Sequence, residues 1–186
     1  QEAAKALKAA VRDDPVAILK VGQIYWEAGE RVAALAAWTD AMKKAKLNPI
    51  LYPGLIKAWA TAGDLGRCRE SIIAAFDNDY ALEATEAVER AARSQEMQPI
   101  LRQALLEAVT STTDLEDRVY LAESLIYVSD VQAARSLLRD VAREAPKRSD
   151  AAAMAAAVSL DSRYRLLDYK SAEPMVIWLD ANPGVI

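Results

Sequence analysis

The sequence predicts an all-α chain, an α-solenoid of stacked antiparallel helical hairpins, and three observations carry that prediction. Gly29 and Gly63 lie 34 residues apart, with Pro15 and Pro49, Ala28 and Ala62, and Ala41 and Ala75 in the same step. A repeat of that length accommodates two helices and their turns. Alanine supplies about one residue in five, above ordinary usage and suited to closely packed helices. The six glycines and seven prolines sit mostly where apolar stripes of helical period end.

About ten to eleven helices follow from this pattern. Ala3, Leu7 and Ala10 mark residues 1–14 as the second helix of a truncated repeat. Residues 15–47 and 48–79 form the two clearest hairpins, and Gly63-Asp64-Leu65-Gly66-Arg67 is the turn inside the second. Residues 80–112 form a divergent repeat that lacks the turn glycine. Its helices run from Ala81 to Ser94 and from Pro99 to Thr110, with stripes Leu82/Val88/Ala91 and Leu101/Leu105/Ala108. Pro99 suits a first helical turn, where a missing N–H costs nothing.

The pattern returns in residues 113–147, where Leu121, Ala122, Leu125, Asp130, Ala134, Leu138, Val141 and Pro146 repeat the earlier order. Asp130 lies 66 residues after Asp64, two short of twice the period. Residues 148–186 form a divergent terminal unit. It opens with the helix former Ala151–Ala157 and closes with a helix around Pro174, Trp178 and Ala181. Both ends read as interior pieces of a longer array, so one domain covering 1–186 is expected to be a fragment. Unpaired terminal helices carrying Leu7, Val176, Ile177 and Trp178 would then offer apolar surface for homo-oligomerisation.

Apart from Gly22 and Ile56, the residues in register match small with small and large with large. Gly22 corresponds to Ile56, Tyr25 to Trp59, Ala34 to Cys68 and Trp38 to Ile72. Val21, Gly22, Tyr25, Gly29, Ala34, Trp38 and Ala41, followed by Leu55, Ile56, Trp59, Gly63, Cys68, Ile72 and Ala75, resemble the tetratricopeptide (TPR) repeat family. The match departs from the family pattern at Ile56, where a glycine is usual, and at Pro49, three residues late.

The resemblance implies a right-handed superhelix whose first helices line a concave wall that takes a peptide or a partner's helix. Carried over by register, that wall holds Leu19, Gln23, Trp26 and Glu27, then Pro53, Lys57, Ala60 and Thr61, then Val119, Glu123, Ile126 and Tyr127. Trp26 is the candidate anchor, because Tyr25 already takes the packing slot and large aromatics dominate binding surfaces. Packing against a neighbouring repeat is the competing role for Trp26. One subgroup of the family grips a terminal carboxylate with Lys and Asn from successive first helices. Leu19, Gln23, Pro53 and Lys57 do not supply that clamp, and a hydrophobic peptide or amphipathic helix is expected instead.

Composition narrows the function further. The chain has 186 residues, 53% hydrophobic and 27% charged, with a net charge of −4. That balance argues against nucleic-acid binding, which needs basic surface. Lys43/Lys44/Lys46 and Arg67/Arg69 are short groups offset by acids, read as solvated faces. No apolar run reaches the length of about 18 residues for a membrane span in this segment. Histidine is absent and Cys68 is the lone cysteine, which removes the usual general base and any Cys-based cluster. Cys68 is expected to be buried and inert. Asp77-Asn78-Asp79 starts like a calcium loop but continues into Ala81 and Leu82, so a helix end and N-cap is expected there. Glu83/Glu86/Glu89, and Glu116 and Asp117 beside Glu123, are expected to form wet helix faces.

The expected function is a non-enzymatic protein–protein interaction scaffold with no cofactor and no metal, binding a protein or peptide partner. Asn48-Pro49 leading into Leu51-Tyr52-Pro53 looks like bacterial envelope-associated members of the family, which implies a role in envelope or polysaccharide assembly. Two alternatives stay open: the helical, non-catalytic portion of an enzyme such as a peptidoglycan lyase, and the ligand-sensing arm of a peptide-responsive regulator. The expected setting is a soluble segment in the cytoplasm or periplasm of a bacterium.

Overall fold

A computed structural model describes residues 14–183. Among them are ten α-helices, one short 3-10 turn at Pro49–Leu51 and no strand. The helices are α1 (Pro15–Glu27), α2 (Arg31–Ala45), α3 (Tyr52–Ala62), α4 (Leu65–Phe76), α5 (Ala81–Ala92), α6 (Gln98–Val109), α7 (Leu115–Tyr127), α8 (Val131–Arg148), α9 (Ala151–Tyr164) and α10 (Tyr169–Ala181). The expected helix carrying Ala3, Leu7 and Ala10 lies outside the described residues, as does Gly184. The chain divides into two compact units, the first ending at Ala104 and the second starting at Leu105.

In the first unit α1 pairs with α2 and α3 with α4, while α3 also packs on α5. In the second, α7 pairs with α8, α9 packs on both, and α10 lies on α8. The connections inside the pairs are two or three residues long, so each pair is an αα-hairpin. Such turns need a backbone that reverses at once, and the structure builds them in one way. Gly29, Gly63, Asp79, Ser129 and Ser149 all take positive φ, between 55° and 81°. The next residue in each case, Glu30, Asp64, Tyr80, Asp130 or Asp150, donates its N–H to the carbonyl five residues back at 2.8 to 3.0 Å. That bond satisfies a helix-end carbonyl that would otherwise lack a partner.

Several of these residues then start the following helix. Asp64, Asp130 and Asp150 each accept a hydrogen bond on the side chain from the N–H three residues on, at 3.0, 3.2 and 3.0 Å. A two-residue unit thus ends one helix and caps the next. Asp79, in the turn between α4 and α5, takes this conformation without being glycine, because a short polar side chain tolerates the left-handed region. The cap expected from Asp77-Asn78-Asp79 does not form. Asp77 closes α4, and Tyr80 stands at the cap position without a side-chain bond.

Packing follows the register closely. Ala34, Cys68, Ile72, Ala41 and Ala75 are fully buried, and so are Leu121, Ala122, Ala134, Leu138 and Val141. Trp38 is only 2% exposed, and its Nε1 donates to the Leu19 carbonyl at 3.2 Å. Its ring occupies the space where a Cβ on Gly22 would project. A small residue is therefore required at Gly22 for α1 and α2 to close together. In α9, Ala153, Met154 and Ala157 are buried, and their small neighbours let the helix approach α7 and α8 together.

Three expectations need correction. Leu82 is 52% exposed, unlike Val88 and Ala91, because six residues place it about two thirds of a turn away from Val88. Tyr25 is half-buried, whereas Trp59 in register is fully buried. Pro146 does not end its helix: α8 continues to Arg148, with Pro146 on the solvent side. On α10, Met175 is buried while Val176 and Ile177 are exposed and Trp178 is half-buried.

Candidate functional site

Helix α1 turns Leu19, Gln23, Trp26 and Glu27 to one face, spaced at one and two helical turns. Helix α3 turns Gly54, Lys57, Ala58 and Thr61 to a face of the same kind. These eight residues, with Trp38 and Met97, line a cleft of about 170 Å³ in the first unit. Of the twelve wall residues named from the sequence, Leu19, Gln23, Trp26, Glu27 and Lys57 are therefore brought together. Thr61 joins them.

Pro53 and Ala60 do not line the cleft, and both are buried. The reason is rotation about the helix axis. Each residue advances about 100°, so positions 54, 57, 58 and 61 share a face that 53 and 60 do not. Gly54 and Ala58 stand where those two were expected, and the absence of a Cβ on Gly54 gives room to the Leu19 side chain.

The floor of the cleft is aromatic. Trp26 is half-buried and leans on Trp38 with ring centroids 5.4 Å apart and planes 32° apart. Trp38 in turn meets Trp59 edge-on at 5.9 Å and 77°. The Arg31 guanidinium lies 3.7 Å from the Trp26 ring centroid and donates to the Trp26 carbonyl at 3.3 Å. Trp26 is thus held in place on the cleft by a cation and by a ring of its own hairpin.

The rim is polar. Gln23 Nε2 donates to Glu27 Oε1 at 3.1 Å. Lys57 is exposed, and no hydrogen bond or ion pair holds its ammonium among the described residues. Thr61 Oγ1 donates to the Lys57 carbonyl at 2.8 Å and lies 3.6 Å from Met97 Sδ. Sequence reasoning missed Met97, although the period offered a signal: it stands 34 residues after Gly63, in the slot of the turn glycine.

The remaining wall residues belong to α7 in the second unit. Val119 is buried, so it offers no surface. Glu123, Ile126 and Tyr127 are half-buried. Glu123 Oε1 accepts from Tyr127 Oη at 3.0 Å and from Arg163 Nη1 at 2.7 Å, so its charge is already answered by α9. Burial first, then hydrogen bonding to Tyr164 and Glu123, pushes the Tyr127 phenol well above its usual range. These groups tie α7 to α9.

Elsewhere the acids behave as solvated faces. Glu86 pairs with Arg90 and Glu89 with Arg93, each at 3.2 Å on exposed surface. Cys68 is fully buried, its Sγ directed to the Ile56 carbonyl at 3.7 Å. Among the described residues no cluster of three His, Cys, Asp or Glu side chains is arranged to hold a metal ion, and no helix is long and apolar enough to cross a membrane. No family model, curated protein sequence or solved structure matches this chain. The cleft's own chemistry therefore carries the functional argument.

Proposed function

We propose that the chain is a TPR-like interaction module that binds a protein partner by taking one large apolar side chain into the cleft between α1 and α3. The observation that supports this is the pairing of a small apolar recess with a polar rim. A cleft of about 170 Å³ is below the usual range of about 300–1,000 Å³ for small-molecule sites. It is close to the roughly 150 Å³ that holds a benzene ring in an apolar cavity. One Phe-, Leu- or Met-sized group fits, as in an anchor of a peptide or amphipathic helix. The function proposed is binding, without a reaction on the bound group.

Panning a displayed random-peptide library on the wild-type chain, with counter-selection on Thr61→Trp, tests this directly. The selected peptides are expected to share one large apolar residue and to lose about tenfold or more in affinity for Trp26→Ala. Trp38 is the wrong residue to truncate here, since emptying so buried a site costs about 3–5 kcal/mol of stability. Peptides that bind Thr61→Trp and Trp26→Ala as tightly as the wild type would overturn the assignment.

A further inference from the structure

We infer that the loop between α2 and α3 is a docking tip for an anionic lipid surface, independent of the cleft. Leu47 is the most exposed large apolar side chain among the described residues, at 92%, and Ile50 beside it is 54% exposed. Neither lines the cleft. Lys43, Lys44 and Lys46 stand immediately before them, and residues 41–63 carry four lysines and no acid. Lys44 pairs with Asp40 at 3.9 Å on partly exposed surface. Lys43 and Lys46 are exposed, with neither an ion pair nor a hydrogen bond among the described residues. The helical winding persists through Lys46, whose backbone is still right-handed, so a spacing of three and four residues sets Lys43, Lys46 and Leu47 on one side. Aliphatic tip and ammonium groups therefore share a face.

Side chains and backbone together choose the partner. Within residues 47–52, Leu47, Asn48, Leu51 and Tyr52 donate their N–H groups to carbonyls three or four residues back, and Pro49 has no N–H to satisfy. A tip whose main chain is already bonded enters an apolar layer at little cost. It offers a protein few main-chain hydrogen bonds. A side chain standing this far out needs a preformed pocket in a protein, whereas fluid acyl chains close around it without one. The ammonium groups then meet anionic headgroups while their methylene stems lie in the interface. The chain's net charge of −4 selects the face that approaches, because charges farther than the Debye length of about 8 Å are screened at physiological salt. Two aliphatic side chains and a few lysines make a reversible contact, not an anchor.

Sedimentation with sucrose-loaded vesicles of phosphatidylcholine, with or without about one-third phosphatidylserine, tests this at about 0.15 M salt. The full chain is expected to partition about tenfold more strongly onto the anionic vesicles, and about 0.5 M salt to remove most of that preference. Lys43→Gln with Lys46→Gln, and separately Leu47→Ser with Ile50→Ser, are each expected to weaken binding about tenfold. All four positions are exposed, and circular dichroism checks that each variant is folded. A fluorophore on Leu47→Cys is expected to be quenched by nitroxide-labelled acyl chains, while the buried Cys68 stays unlabelled. Equal binding to both vesicles, binding to neither, an unquenched label, or anionic binding that survives the Leu47 and Ile50 substitutions overturns the inference. Polyglutamate that binds the loop as tightly as the anionic vesicles do also overturns it, and assigns the loop to an acidic protein.

Discussion

Gly22 and Trp38 are fitted to one another: the indole of Trp38 lies where a side chain on Gly22 would begin, and its N–H reaches past that point to the Leu19 carbonyl at 3.2 Å.

Gly22→Ala puts two effects in opposition. Propensity alone favours alanine by about 1 kcal/mol, while overpacking a filled site costs about 1–3 kcal/mol. Because Cβ meets a large ring rather than a flexible chain end, overpacking is expected to win. Urea denaturation should show a net destabilisation of up to about 2 kcal/mol. A stabilised variant would mean that Trp38 can turn aside.

The turns give a prediction of opposite sign. Ser129 holds φ 63° in the position that Gly63 occupies at φ 72°. A non-glycine residue in that region costs about 1 kcal/mol. Ser129→Gly is therefore expected to raise the thermal midpoint, corresponding to up to about 1 kcal/mol. Gly63→Ala is expected to lower it by a similar amount. No neighbouring atom would obstruct the new Cβ at Gly63, so that loss would come from the backbone alone.

Burial first, and the nearby Asp64 charge second, push the Cys68 thiol up to about 12 from its usual 9.0. The unfolded chain releases this proton as pH rises through 9.0, while the folded chain keeps it to about 12. Stability is then independent of this group below the lower value and falls with rising pH across that window. Tyr52 and Tyr127, also raised chiefly by burial, act in the same direction. Denaturation midpoints measured at pH 8 and at about pH 11 should fall less in Cys68→Ala than in the wild type. A disulfide reagent added at pH 8 should react with Cys68 only as the chain unfolds.

Arg163 and Glu123 join α9 to α7 with side chains 58% and 14% exposed. Glu123 also holds the Tyr127 hydroxyl, so Glu123→Gln removes one charge from two interactions. Ultraviolet titration should then show Tyr127 ionising at lower pH than in the wild type, identified by its absence in Tyr127→Phe. Arg163→Ala should cost up to about 1 kcal/mol, since Arg163 itself stands largely in solvent, which screens the pair. An unchanged phenol titration in Glu123→Gln would show that burial and Tyr164 hold the proton without Glu123.

Much of this fold was legible because its signals are local. The Gly63-Asp64 pair announces both a helix end and a helix start, and Ser129-Asp130 repeats it two residues out of step with the doubled period. Apolar positions such as Leu121, Leu125 and Leu138 were correctly taken as core. The site was legible on α1 and only half so on α3, where Lys57 and Thr61 line the cleft while Pro53 and Ala60 do not. On α7 the register named Glu123 and Tyr127, yet their partner Arg163 lies 40 residues from Glu123 and no periodicity points to it.

The sequence by itself determined the helices, their turns and which residues are apolar enough to be buried, since caps, left-handed turns and helical stripes are written within a few residues. Only the tertiary structure decided which face of α3 turns to the cleft, that Trp38 floors it, and that Met97 closes one side. Those outcomes depend on how each helix is rotated about its own axis, and a single residue of offset rotates the face by about 100°. That rotation is fixed by mutual packing, as where the Trp38 ring fills the room left at Gly22.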